Sequence, residues 1–161
     1  MSGGKLTTFR PIALDVLRRA ASLEPSFDVR DTDAPVFSRP VVSAHCPEEM
    51  GFLSFRRISG RYGRDASRVM ECAERGELEC VPGTNTLWAE LRWAARAEAV
   101  VGLEDLMLRR TRLGLLLKGG GGSLLEKVKA ICGPELGWDN ERWHREERAY
   151  RDLWRRCYGV P

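Results

Sequence analysis

The segment Gly3-Gly4-Lys5-Leu6-Thr7-Thr8-Phe9-Arg10 gathers two glycines, a lysine and two hydroxyls just ahead of a helix start. Free backbone N–H groups at such a start, together with the helix dipole, attract negative charge. The glycines permit close backbone approach, and Lys5 adds a full positive charge. The same residues also suit a plain turn with Thr7 or Thr8 as the N-cap, Lys5 as a solvated side chain and Arg10 as an exposed helix residue.

Acids and bases recur further along. Asp105 and Arg109 are four apart in the favourable order, and Glu90 or Glu98 could meet Arg109, Arg110 or Arg112 across a helical hairpin, which predicts a structural ion-pair network rather than a catalytic acid and base. Arg56-Arg57, Arg61 and Arg64 form a basic cluster, but Glu48, Glu49 and Asp65 flank it and no aromatic series accompanies it, so nucleic-acid binding is not expected. His45-Cys46 is the only adjacent histidine–cysteine pair, and His144 stands far from it, so no metal site is expected. Trp88 and Trp93, five apart, point in different directions on one helix, one toward the core and the other toward a satellite contact.

The elements that position these groups read as helices. Thr8 to Ala21 carries Ile12, Leu14, Val16 and Leu17, with Pro11 tolerable in the first turn. Between Ser22 and Pro47 four prolines break any period, which marks a linker. Met50, Leu53, Ile58 and Tyr62 open the next helix; Asp65 caps one running through Glu74; and Thr84 or Thr86 caps a long one through Leu87, Leu91, Ala94 and Ala95. Leu103, Leu106, Met107 and Leu108 form another apolar stripe. Lys118-Gly119-Gly120-Gly121-Gly122 reads as a flexible turn, Ser123 as the cap of a helix terminated by Gly133-Pro134, and Asp139 as the cap of a last helix through Trp154 and Cys157. The fold class is all-α: one helix at 1–21, an irregular linker at 22–47, and a compact bundle of about five helices at 48–161.

Composition fits one core-forming unit: 161 residues, 43% hydrophobic, with 26 basic side chains nearly balanced by 23 acidic ones. The five cysteines are odd in number and contain no CxxC pair, as expected of reduced thiols in a cytoplasmic chain. No apolar run reaches the roughly 18 residues of a membrane span.

The run from Thr86 to Glu98, followed by Leu103 to Gly114 with its Arg109-Arg110-Thr111, resembles the C-terminal helical domain of FAD-dependent glycerol-3-phosphate dehydrogenases and oxidases. Gly3 to Arg10 is similar to that family's last strand-to-helix junction of the FAD domain. The resemblance covers Gly3 to Ala21 and Met50 to Leu117, and continues in helical character from Leu124 to Trp154. It implies a parent flavoenzyme that oxidises glycerol 3-phosphate to dihydroxyacetone phosphate by hydride transfer to FAD, with this chain starting near the end of the FAD domain. In that parent, Gly3 and Gly4 approach the cofactor, the amides of Leu6, Thr7 and Thr8 face the flavin pyrimidine, and Lys5 lies beside the substrate phosphate. The resemblance further implies the FAD domain as partner and leaves room for a homodimer and for peripheral membrane or quinone contact through the parent. No GxGxxG is present, so no FAD binding and no catalytic residue is expected in the isolated chain. A separate reading, an independent helical module binding protein or nucleic acid through the arginines after Leu108, would show salt-dependent association with DNA.

Overall fold

The computed structural model describes residues 6–24, 26–30 and 46–159, and its backbone divides into two units, 1–38 and 39–161. The described residues are helical, and their only β-type pairing is an isolated bridge between Cys80 and Leu87. Most of the stretch expected as a linker lies outside the described residues.

In the first unit a 3₁₀ turn at Leu6–Thr8 leads into helix α1, Phe9–Leu23. Pro11 sits in its first turn, where a missing N–H costs nothing. No residue of α1 is fully buried; Ile12, Leu14, Ala20 and Ala21 are half-buried.

The second unit is organised around one helix. Helices α2 (Phe52–Tyr62) and α3 (Ala66–Glu71) come first, then a long turn, then α4 (Trp88–Ala97). Every residue of α4 from Trp88 to Ala95 is buried, so this short helix is enclosed on all sides. Its two faces serve two cores. Trp88, Leu91, Ala94 and Ala95 pack with Leu103, Leu106, Val128, Trp143 and Tyr150, while Ala89 and Trp93 pack with Phe55, Ile58 and Val69 of α2 and α3. Both tryptophans are therefore core residues, each of a different core, rather than one core and one satellite.

A buried helix start needs partners for its N–H groups. At α4 the turn before it provides them: Trp88 N–H donates to the Glu79 carbonyl at 3.1 Å, Ala89 N–H to the Glu77 carbonyl at 2.9 Å, and Leu87 N–H to the Glu90 carboxylate at 2.8 Å. The N-cap is thus Leu87, and the expected caps Thr84 and Thr86 instead build the preceding turn, with Thr86 N–H bonded to Thr84 Oγ1 at 3.1 Å. Likewise α3 stops at Glu71, short of the expected Glu74, and Asp65 at its start makes no capping hydrogen bond.

Beyond α4, Asp105–Arg110 forms a π-helical turn closed by Thr111, whose N–H and Oγ1 both donate to the Leu106 carbonyl, at 3.0 and 2.7 Å. After the short α5 (Leu113–Leu116) comes the glycine run, and the expected flexible turn is instead a packed one. Gly119, Gly120 and Gly121 take φ of 61°, 68° and 72°, a left-handed path natural only to glycine, and Gly120 and Gly121 are buried. Helix α6 (Leu125–Leu136) then passes straight through Gly133-Pro134 and ends at left-handed Gly137. Proline ends a helix by losing one hydrogen bond and crowding the previous turn; at Pro134, one turn from the end, little helix remains to lose. Helix α7 (Asn140–Tyr158) is capped by Asp139, whose carboxylate accepts Arg142 N–H at 2.7 Å.

Helix α7 clamps the glycine turn. Tyr150 Oη donates to the Gly120 carbonyl at 2.6 Å, Trp154 Nε1 to the Gly114 carbonyl at 2.8 Å, and Arg151 to the Gly122 carbonyl at 3.1 Å. A methyl group at Gly120 would meet the Trp154 ring at 2.7 Å, whereas one at Gly119 would meet nothing. Gly119→Ala is therefore expected to cost about 1 to 2 kcal/mol, from backbone conformation alone. Gly120→Ala adds an overpacking cost of about 1 to 3 kcal/mol. Urea denaturation of both variants checks the difference; equal midpoints would show that Trp154 does not hold the turn.

Candidate functional site

Of the six residues expected to lie against the flavin or the substrate phosphate, three are described. Leu6, Thr7 and Thr8 form the 3₁₀ turn, Thr7 and Thr8 are exposed, and Thr8 occupies the N-cap position of α1 without a capping side-chain hydrogen bond. Gly3, Gly4 and Lys5 lie outside the described residues, as does His45. A helix start of this kind can offer backbone donors to one end of a flavin. It does not fit a whole FAD, since the pyrophosphate needs a crevice formed by a strand, a glycine-rich turn and a helix, and no such fingerprint occurs in the chain.

The second unit buries three charged side chains, Glu77, Glu90 and Arg92. Glu90 is completely buried. Both oxygens of its carboxylate are engaged by Arg57, one through Nη1 at 3.1 Å and the other by a closer contact from Nη2; Tyr62 Oη donates to it at 3.1 Å, and Arg61 lies 3.7 Å away. Arg57 and Arg61 are four apart on α2, so both reach the same side, next to the stripe of Phe55, Ile58 and Ser59. Tyr62, partly buried, has its hydroxyl pushed above the usual tyrosine range by burial and then by the Glu90 charge.

On another side of α4, buried Arg92 forms a second cluster. Its Nε and Nη2 grip Glu77 at 2.8 and 2.7 Å, Nη1 meets Glu135 of α6 at 2.8 Å, and exposed Glu74 approaches Nη2 at 3.0 Å. Arg96 adds a second fork to Glu135 at 2.9 and 2.8 Å. Burial pushes the Glu77 carboxyl up, but the Arg92 hydrogen bonds and the Glu74 N–H outweigh it and leave the group below its ordinary 4.5. The Arg96 hydrogen bond holds Glu135 below 4.5 as well.

Of the expected pairs, Asp105 does meet Arg109, which also bonds Glu104 at 2.9 Å. Glu90 pairs instead with the α2 arginines, and Glu98 forms no salt bridge among the described residues. The basic cluster is correspondingly reduced, because Arg57 and Arg61 turn inward and Arg68 pairs with Asp65 at 3.2 Å. Arg92 was not anticipated, although a charged residue amid Trp-Ala-Glu-Leu-Arg-Trp-Ala-Ala, on a helix with no polar face, signals an internal partner. Cys46 is engaged locally, its Sγ 3.4 Å from the Met50 carbonyl.

A cleft of about 550 Å³ lies between α6 and the start of α7, lined by Glu126, Lys129, Ala130, Pro134, Trp138 and neighbouring residues. Its walls hold one carboxylate and one ammonium and no nucleophile. Another of about 350 Å³ holds His144 with Glu126, Glu147, Arg148 and Arg151. Neither brings a nucleophile against a base, and among the described residues no group of three or more metal-binding side chains converges.

Residues 49–143 match the family described as the C-terminal domain of alpha-glycerophosphate oxidase. The chain is 32% identical to a protein of Mycobacterium bovis called glycerol-3-phosphate dehydrogenase 1, over 71% of this chain and 23% of that protein. It is 27% identical to a glycerol-3-phosphate dehydrogenase of Mycobacterium leprae, over 93% of this chain and 28% of that one. The chain therefore spans about a quarter of the length of these relatives. No solved structure matches it.

The two ion clusters make stability measurable in two ways. Glu90→Gln removes the charge that neutralises Arg57 and is expected to cost about 3 kcal/mol in urea denaturation, at the low end for a broken buried pair because Arg57 is partly exposed. Glu141→Gln, in the exposed Arg145 pair, should cost under about 1 kcal/mol. If both variants unfold together, the buried cluster is not structural. Acid provides the second handle. Glu77 and Glu135 have lowered folded values, so their contribution is complete above the unfolded value and is lost as pH falls through the folded one. The urea midpoint should hold at neutral pH and drop from about pH 4.5 downward, and Glu135→Gln should flatten that drop. An unchanged acid profile in Glu135→Gln would contradict it.

Proposed function

Because the chain belongs to the family of alpha-glycerophosphate oxidase C-terminal domains, we propose that it is the non-catalytic helical portion of an FAD-dependent enzyme that oxidises glycerol 3-phosphate to dihydroxyacetone phosphate. The observation that carries this reading is the family match itself, which begins just before α2 and reaches Trp143 in α7, so it spans both ion clusters and most of both cores. What those residues supply is rigidity: buried charges and packed tryptophans, with no nucleophile set against a base. FAD would accept the hydride, held by a part of the enzyme with a dinucleotide crevice. In this reading the backbone at Gly3, Gly4, Leu6, Thr7 and Thr8 lies against the flavin, Lys5 lies against the substrate phosphate, and the helical unit braces the catalytic part. An independent nucleic-acid module is the weaker reading, because Arg109, the first of the arginines after Leu108 on which it rests, is bonded to Glu104 and Asp105 within the unit.

Two measurements test the proposal. The isolated chain, mixed with excess FAD and then freed of unbound cofactor, should be colourless and should not reduce a dye with glycerol 3-phosphate. The pyrophosphate of FAD needs a dinucleotide crevice, and no GxGxxG fingerprint occurs in the chain. A stoichiometric flavin spectrum or substrate-dependent turnover would overturn this. The positive arm is a chimera in which residues 46–159 replace the matching part of the Mycobacterium bovis relative. It should retain FAD and glycerol 3-phosphate-dependent dye reduction; a soluble chimera without flavin counts against the family role.

A further inference from the structure

Helix α5 buries only one side of itself. Leu113 is fully buried and Gly114 is packed against Tyr150 and Leu108, while the next two residues, Leu115 and Leu116, stay 50% and 63% exposed. Two adjacent leucines left in water by a completed core mark a surface with a use. They do not sit on a loose loop. Their N–H groups donate to the Arg112 carbonyl at 3.0 and 3.2 Å, Trp154 Nε1 holds the Gly114 carbonyl beside them, and α7 clamps the glycine turn that follows. The charges next to them are mainly of one sign. Arg112 opens α5, Lys118 comes two residues after Leu116, and Arg155 lines a hollow of about 190 Å³ together with Gly119 and Trp154. All three cations are exposed. Arg155 approaches Asp152 at 3.7 Å, and among the described residues Arg112 and Lys118 form no salt bridge to a carboxylate. Exposed Tyr158 lies one turn beyond Trp154 on α7. Val101 makes the contrast: it is 71% exposed, but the hollow it lines is shared with Glu104, Asp105 and Glu146.

We propose that the α5 tip is a peripheral contact surface for a bilayer carrying anionic lipid, with Leu115 and Leu116 entering the boundary between headgroups and acyl chains and Arg112, Lys118 and Arg155 lying against lipid phosphates. Charge and apolarity together choose this occupant. Acyl chains accept exposed aliphatic side chains, and a uniformly negative surface meets a cation wherever it stands around them, so leucines flanked by arginine and lysine match such an interface on both counts. A protein partner would instead need carboxylates placed at three separate spots around an apolar centre. Because α5 and the glycine turn are already held by Tyr150, Arg151 and Trp154, no segment has to fold on contact. Among the described residues no helix is long and apolar enough to cross a membrane, so the contact is confined to the bilayer surface. Nothing in this surface depends on the flavoenzyme reading.

The test is flotation of the full 161-residue chain with vesicles of phosphatidylcholine, of phosphatidylglycerol, and of a mixture of the two. The chain should float with the anionic vesicles and not with the neutral ones, and should be released as salt rises toward about 1 M, where the Debye length falls to about 3 Å. This comparison needs no variant. Leu115→Ser combined with Leu116→Ser should lower partitioning at least about tenfold. Arg112→Gln combined with Lys118→Gln should lower it about twentyfold. Val101→Ser, an equally exposed position in an acidic setting, should change it less than about twofold. All of these positions are exposed, and unchanged thermal midpoints would show that the variants fold. A chain that stays behind even with pure phosphatidylglycerol, or floats equally with phosphatidylcholine, overturns the proposal. So does wild-type partitioning in the leucine double variant, which would leave only a diffuse charge effect, and so does a dimer in sedimentation velocity that dissociates in that variant, which would make a second copy of the chain the occupant.

Discussion

A fully buried carboxylate cannot stand alone in an apolar interior, and Glu90 sets the terms for everything packed around it. Its charge would be prohibitively costly without Arg57, Arg61, Tyr62 and the Leu87 N–H. Those partners come from α2 and from the N-cap of α4 itself, so satisfying one residue fixes both the distance between two helices and the residue at which α4 begins. Arg92 performs the opposite task on another side, drawing Glu77 and Glu135 inward and thereby seating the preceding turn and α6. Apolar contacts alone would tolerate a shifted α4. The two charges, two positions apart and opposite in sign, do not, because rotating the helix would strand both.

What the sequence disclosed follows from the range of each interaction. Periodic apolar residues located α1, α2, α4, α6 and α7, and Asp139 announced its helix, because a cap acts within three residues. Local signals misled where tertiary contacts override them. Thr84 and Thr86 have the chemistry of caps, yet the carbonyls of Glu77 and Glu79 reach the α4 start first. Gly133-Pro134 looks like a stop, and the helix runs on to Gly137. The pairing of Glu90 with Arg57 spans 33 residues and that of Arg92 with Glu135 spans 43. No spacing rule reaches so far, which is why the arginines of α2 looked like a surface cluster.

The glycine run shows the same principle in the backbone. Four consecutive glycines in isolation would sample many conformations, and their composition suggested flexibility. Here three of them adopt one left-handed path because α7 lies across them and takes their carbonyls as acceptors for Tyr150 and Arg151. The freedom of glycine is used for close approach: the Trp154 ring occupies the space a side chain at Gly120 would need.

The division of the interior into two cores gives the domain a direction in time. The core of α2, α3 and one face of α4 contains no buried residue later than Trp93, and the partners of Glu90 all precede it. A nascent chain could assemble this half once α4 has left the ribosome. The other core is complete only with Tyr150, and Arg92 would have only Glu77 and the exposed Glu74 until Glu135 is made. During that interval α4 would present Trp88 and Leu91 to solvent, so the burden of avoiding aggregation during synthesis falls on the few seconds needed to make the last two helices, at about 5 to 20 residues per second.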